Sequence, residues 1–183
     1  MMKQLIKHEQ CLRCYEKVVI PCCKWESEDS SVVLFAESEI KIIRQSGCEM
    51  PEFRPYRNSK TVFQVEPKKS KSDDSMYVCP FLDEDRYMCR IYEMRPFDCR
   101  AWPFLFAKGK EAGSTVIACF TEDWCPGLQE TNEEDFIAYQ KYMAALLGSE
   151  KYLQFIKAHR ALIWEDKGED IFPIRDVTLL LKE

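Results

Sequence analysis

Cysteine is the residue type whose number and spacing promise chemistry in this chain. The ten are Cys11, Cys14, Cys22, Cys23, Cys48, Cys79, Cys89, Cys99, Cys119 and Cys125, and none lies in the last 58 residues (126–183). They fall into two groups. The first is Cys11-x2-Cys14 followed by the adjacent pair Cys22-Cys23. A C-x2-C pair bends the chain so that two sulfurs can reach one metal. Neighbouring side chains on an extended segment point to opposite faces, so Cys22-Cys23 leans toward two metal centres, although a tight turn could bring both sulfurs to one. The second group is Cys79-x9-Cys89-x9-Cys99, then Cys119-x5-Cys125. These gaps are too long for a knuckle, but a hairpin or loop can return each sulfur to a shared place. Cys48 stands apart behind a glycine and reads as a core thiol. Cys119 follows a strand-like run at 115–118 and fits either role.

Soft thiolates select zinc or iron–sulfur centres. The residues alone do not separate the two cleanly; the long gaps and the adjacent pair lean toward an iron–sulfur cluster, with zinc as the alternative. Four thiolates around a metal leave excess negative charge, which is costly to bury unless donors surround it. Arg90, Arg95 and Arg100 are interleaved with Cys89 and Cys99. Arg95 and Arg100 are therefore candidate cofactor-binding residues that donate to sulfur. The competing reading pairs these arginines with Glu93 and Asp98 on a surface. His8 reads as an exposed residue near a terminus, and His159 as structural.

The first ten residues are polar and contain no signal peptide. No run approaches the ~18 apolar residues needed to span a bilayer. The expected location is cytoplasmic, without a membrane partner. Structural disulfides are rare there, which leaves metal as the usual occupation for so many thiols. With a net charge of −5 and no clear basic face, nucleic acid is not an expected partner. Lys68-Lys69-Ser70-Lys71, followed by Asp73 and Asp74, reads as a solvated loop. A protein partner cannot be named from these residues.

Several elements must position the thiols. Residues 32–35 read as a short strand, and 37–46 as a helix with Ile40, Ile42 and Ile43 on its apolar side, ended by Gly47. Residues 61–65 alternate as a strand. Met76-Tyr77-Val78 reads as its hairpin partner, running into Cys79, with a polar connection between. Pro96 suits the first turn of a short helix. Thr131 and Glu134 fit a capping box, opening a helix that Gly148 ends. A second helix is expected over 149–164, and an apolar tail over 171–181 packs back on the body. The fold class expected is α+β: a small, metal-stapled, loop-rich cysteine domain with short helices and one β-hairpin, over residues 1–130. A helical C-terminal extension, residues 131–183, would pack on it.

These motifs resemble the CxxCxxCC cysteine-cluster (YkgJ-like) family, described as zinc- or iron-chelating. Cys11-Leu12-Arg13-Cys14 with Cys22-Cys23 is similar to its start. Cys79-Pro80-Phe81-Leu82 is similar to its CPxL. The run from Cys89 to Arg100, reading C-x-IYExRPxxCR, is similar to its longest motif. Trp102-Pro103-Phe104, Cys125-Pro126-Gly127, Glu39-Ile40 and Glu52-Phe53 also match it. The resemblance covers about residues 11 to 128. It implies that Cys11, Cys14, Cys22, Cys23, Cys79, Cys89, Cys99 and Cys125 are the metal ligands, and it favours a role around the metal for the arginines. In the family two residues separate the second and third cysteines; here Tyr15 to Pro21 make seven. The block also resembles that of flagellin lysine-N-methylases, which implies an iron–sulfur cluster and methyl transfer from S-adenosylmethionine. No glycine-rich nucleotide loop, Ser–His–Asp set or catalytic carboxylate pair accompanies it. Three functions are therefore expected to compete: a redox or methyl-transfer enzyme, a structural metal module presenting a surface to a protein, and a metal-storage or sensing protein.

Overall fold

The computed structural model describes residues 22–28, 33–120, 128, 130–165 and 171–182. Cys11, Cys14 and Cys125 lie outside the described residues. The backbone divides into two units, residues 7–100 and residues 101–183.

In the first unit the strands are β1 (Lys24–Trp25), β2 (Leu34–Ala36), β3 (Phe53–Pro55), β4 (Val62–Val65), β5 (Lys68–Lys69), β6 (Tyr77–Val78), β7 (Leu82–Asp83) and β8 (Met88–Cys89). Its helices are α1 (Glu37–Gln45) and the short α2 (Phe97–Ala101), whose last residue falls in the second unit. The strands form antiparallel sheets in the orders β2-β4-β3, β1-β6-β5 and β7-β8. Phe35, Ile43, Val62, Val65, Val78, Phe81 and Ile91 are almost wholly removed from water. Phe35 meets Phe53 edge-on at 5.2 Å and Phe81 at 5.8 Å.

The second unit holds β9 (Phe104–Lys108), β10 (Thr115–Phe120), α3 (Glu133–Leu147), α4 (Glu150–Ala158) and β11 (Ile171–Asp176). Its antiparallel sheet runs β11-β10-β9, so β10 is central. Met143, Leu147 and Ile156 of the helices are fully buried. Among the described residues no helix is long and apolar enough to cross a membrane.

This is a departure from the loop-rich, metal-stapled cysteine domain with one hairpin. Among the described residues, four antiparallel sheets and apolar cores build the structure, with helices toward the C-terminus. The expected hairpin is also rearranged. β4 pairs with β2 and β3, whereas β6 pairs with β5 and β1. The misjudged segment is the polar connection, which itself contains β5. The Lys69 ammonium lies over the Tyr77 ring at 3.8 Å. Ser70 is buried and its hydroxyl donates to Glu84 Oε2 at 2.7 Å. The supposed solvated loop is thus partly interior. Strands of two to four residues leave too few positions for alternation to announce them.

Several local expectations hold with adjustments. α1 stops at Gln45, capped by Ser46, and Gly47 follows with φ +76°, the left-handed geometry that glycine adopts without strain. Ile40 and Ile43 are buried, but Ile42 is exposed. The N-cap of α3 is Asn132, not Thr131: its Oδ1 accepts from the Asp135 amide at 2.9 Å. The second helix is shorter than expected. α4 stops at Ala158, a 3-10 turn follows, and Trp164 joins the backbone of Phe106 and Lys108 beside β9. The tail contains β11, whose Arg175 donates to the Ala144 carbonyl at the end of α3, passing close over Gly148.

Candidate metal centre

Cys79 sits in a tight turn. Its carbonyl accepts from the Leu82 amide at 2.9 Å, and its amide donates to the Cys23 carbonyl at 2.9 Å. One cysteine from each sequence group is therefore tied backbone to backbone. β7 and β8 then fold Cys89 back, in register with Leu82, and the Arg90 amide donates to the Phe81 carbonyl at 2.8 Å. Cys23, Cys48 and Cys89 all pack against one apolar cluster that includes Cys79, Phe81 and Ile91. Cys22, by contrast, is exposed.

Burial pushes the Cys79 thiol up to about 12, against donation to its sulfur by the Phe81 amide; the neighbouring Cys89 adds to the rise, and Lys68 and the Leu82 amide oppose it. Cys89 is likewise raised by desolvation, opposed by donation from the Ile91 amide and the charge of Arg95, and raised further by Cys48. Desolvation raises Cys99 well above the usual thiol range, with further contributions from Asp98, Cys23, Cys79 and Cys89. These sulfurs therefore lie within electrostatic reach of one another. Amides aimed at sulfur stabilise a thiolate in the same way that they stabilise other anions.

Cys99 is placed by α2. The Asp98 carboxylate accepts from the Leu34 amide at 3.1 Å, and burial raises it to about 6. Glu39, only 7% exposed, accepts from the Phe97 amide at 2.6 Å and from Arg100 Nη2 at 3.1 Å. The α2 turn is thus fastened to β2 and α1 by two carboxylates.

The arginines divide their roles. Arg90 donates to the Pro80 carbonyl at 2.5 Å and faces Glu49 at 3.5 Å. The Arg95 guanidinium stacks on Tyr92 at 3.7 Å, and its Nε donates to the Tyr92 carbonyl. Arg100 pairs with Glu39, and its Nε is buried with no acceptor among the described residues.

Some thiols are not brought into this neighbourhood by anything described. Cys119 is fully buried in β10, within the other unit. No group of three or more Cys, His, Asp or Glu side chains is arranged to hold a metal ion among the described residues. The donor chemistry nevertheless suits a soft cation. Sequence reasoning notes Glu39 only as a position that matches the family and gives it no role. A signal was available: it stands at the third position of α1, where a glutamate can reach back to the amide that opens the helix, and its Oε2 accepts from the Ala36 amide at 3.0 Å.

Cysteines from distant parts of the sequence, two of them with amides turned toward their sulfurs, are the kind of donors that a metal-chelating protein offers. The family model CxxCxxCC, described as "Putative zinc- or iron-chelating domain", matches residues 10–126. The chain belongs to that family. No solved structure matches it.

Proposed function

We propose that this protein holds an iron–sulfur centre through Cys23, Cys79, Cys89 and Cys99, joined by Cys11, Cys14, Cys22 and Cys125. The observation that supports this most is the joining of the two cysteine groups: the Cys79 amide on the Cys23 carbonyl, with Cys89 returned beside them by a hairpin. Arg95, whose charge bears on Cys89, and the buried Nε of Arg100 are the donors that would offset the thiolate charge. A redox or methyl-transfer role for that centre is the finer part of the proposal and draws its support from family likeness. The zinc reading, a structural module presenting a surface to a protein, draws on the amide-to-sulfur turn at Cys79, which suits a closed thiolate site as well.

Anaerobic purification followed by metal, sulfide and visible-absorption analysis tests the choice. Iron with acid-labile sulfide and broad visible absorption is the expected result. A colourless, zinc-loaded, redox-silent protein would replace it with the zinc reading. Cys79→Ser and Cys89→Ser should each lower metal content. Unchanged metal in both would remove the ligand assignment.

A further inference from the structure

We infer that Glu39 is the positioning residue for the Cys99 thiolate, an inference that rests on the metal-binding reading above. The carboxylate is nearly excluded from water, yet it is divided between two elements. Oε2 accepts from the Ala36 amide at 3.0 Å, at the start of α1. Oε1 accepts from the Phe97 amide at 2.6 Å and from Arg100 Nη2 at 3.1 Å. Phe97 and Arg100 bracket Cys99 within the single turn of α2. A buried carboxylate is costly unless its lone pairs are satisfied. Burial raises the Glu39 carboxyl above its ordinary range, and the amides of Ala36 and Phe97 and the Arg100 charge oppose that rise. A group with this desolvation cost, in contact with both sides of one cysteine, fixes where that cysteine points.

The geometry also says why no other residue type serves. Asparagine and aspartate are one methylene shorter. Glutamine has a single acceptor oxygen, so it cannot take the Ala36 amide on one side and the Phe97 amide with Arg100 on the other. It also removes the charge that holds the guanidinium. Hydrogen-bonded partners behind metal ligands typically alter affinity by about 10- to 100-fold when removed.

The test is alkylation of single cysteines, followed by mass spectrometry, on the metal-loaded protein as purified. In E39Q the alkylation rate of Cys99, relative to Cys79 in the same molecules, should rise by about tenfold. Unchanged protection of Cys99 would overturn the proposal. So would an equal loss of protection at Cys79, Cys89 and Cys99, which a merely destabilising substitution would give. If E39Q does not fold, R100K serves in its place. It retains a positive charge but loses the Nη2 geometry, and should raise the Cys99 rate by about threefold, a smaller effect of the same kind. No rise there would overturn the proposal equally. A wild-type protein that takes up neither zinc nor iron would sink the metal-binding reading together with this one. Metal uptake that depends on Cys79 and Cys89, but with Cys99 unaffected in both variants, would sink only the role of Glu39.

Discussion

At the scale of single residues, Cys79 and Cys89 share a local design. Each sulfur receives an amide from two residues further on, Phe81 and Ile91 respectively. Those same two residues are fully buried in the core, so the packing that folds the unit also aims the donors. Phe35 lies against Phe81 in that core, at 1% exposure. Phe35→Ala should destabilise the protein by about 3–5 kcal/mol in urea unfolding. A second residue carries a pH signature. Donation from the Thr178 hydroxyl and amide holds the Asp176 carboxyl below its ordinary 3.8. A depressed carboxyl contributes stability above its unfolded value and loses it as pH falls through the folded one. The melting-temperature difference between wild type and D176N should therefore stay level above about pH 5 and shrink as pH falls below about 4. The cysteines themselves were legible in the sequence because their chemistry is rare and their order distinctive. The role of Glu39 was not, since a glutamate in a helix's first turn is ordinary until its burial is known.

At the scale of elements, the longer pieces could be read and the shorter ones could not. α1, its glycine stop, α3 and the strand at β4 follow from periodicity and punctuation. β5, made of two lysines, has no apolar pattern to find. It is defined by its partner β6, and a partner lies outside any local window. The α3 boundary moved by one residue because Thr131 and Asn132 are both good caps, and local sequence does not choose between them. The structure does: N132A should cost about 1 kcal/mol in thermal or chemical unfolding, whereas T131A should have a smaller effect.

At the scale of the whole molecule, chain order is a poor guide to neighbourhood. β11, near the end of the sequence, completes a sheet whose centre is β10, more than fifty residues earlier. The tail that reads as an appendage is an edge of that sheet, with Val116 to Phe120 paired against it. A chain cut after residue 130 should leave β10 with an open side. It is expected to aggregate in size-exclusion chromatography, since an uncovered strand is a template for further pairing. The cysteines are not the main source of order among the described residues; sheets and buried aromatics supply it, so loops need no metal staple to hold them.

The two helix-ending glycines look interchangeable in the sequence and are not. A Cβ at Gly47 would find nothing within 4 Å, so the demand there is for the backbone angle alone. At Gly148, φ is −79°, a value open to any residue, but a Cβ would run into the guanidinium of Arg175. A D-amino acid should therefore be welcome at the first position, while the second should object to the bulk of an ordinary L side chain.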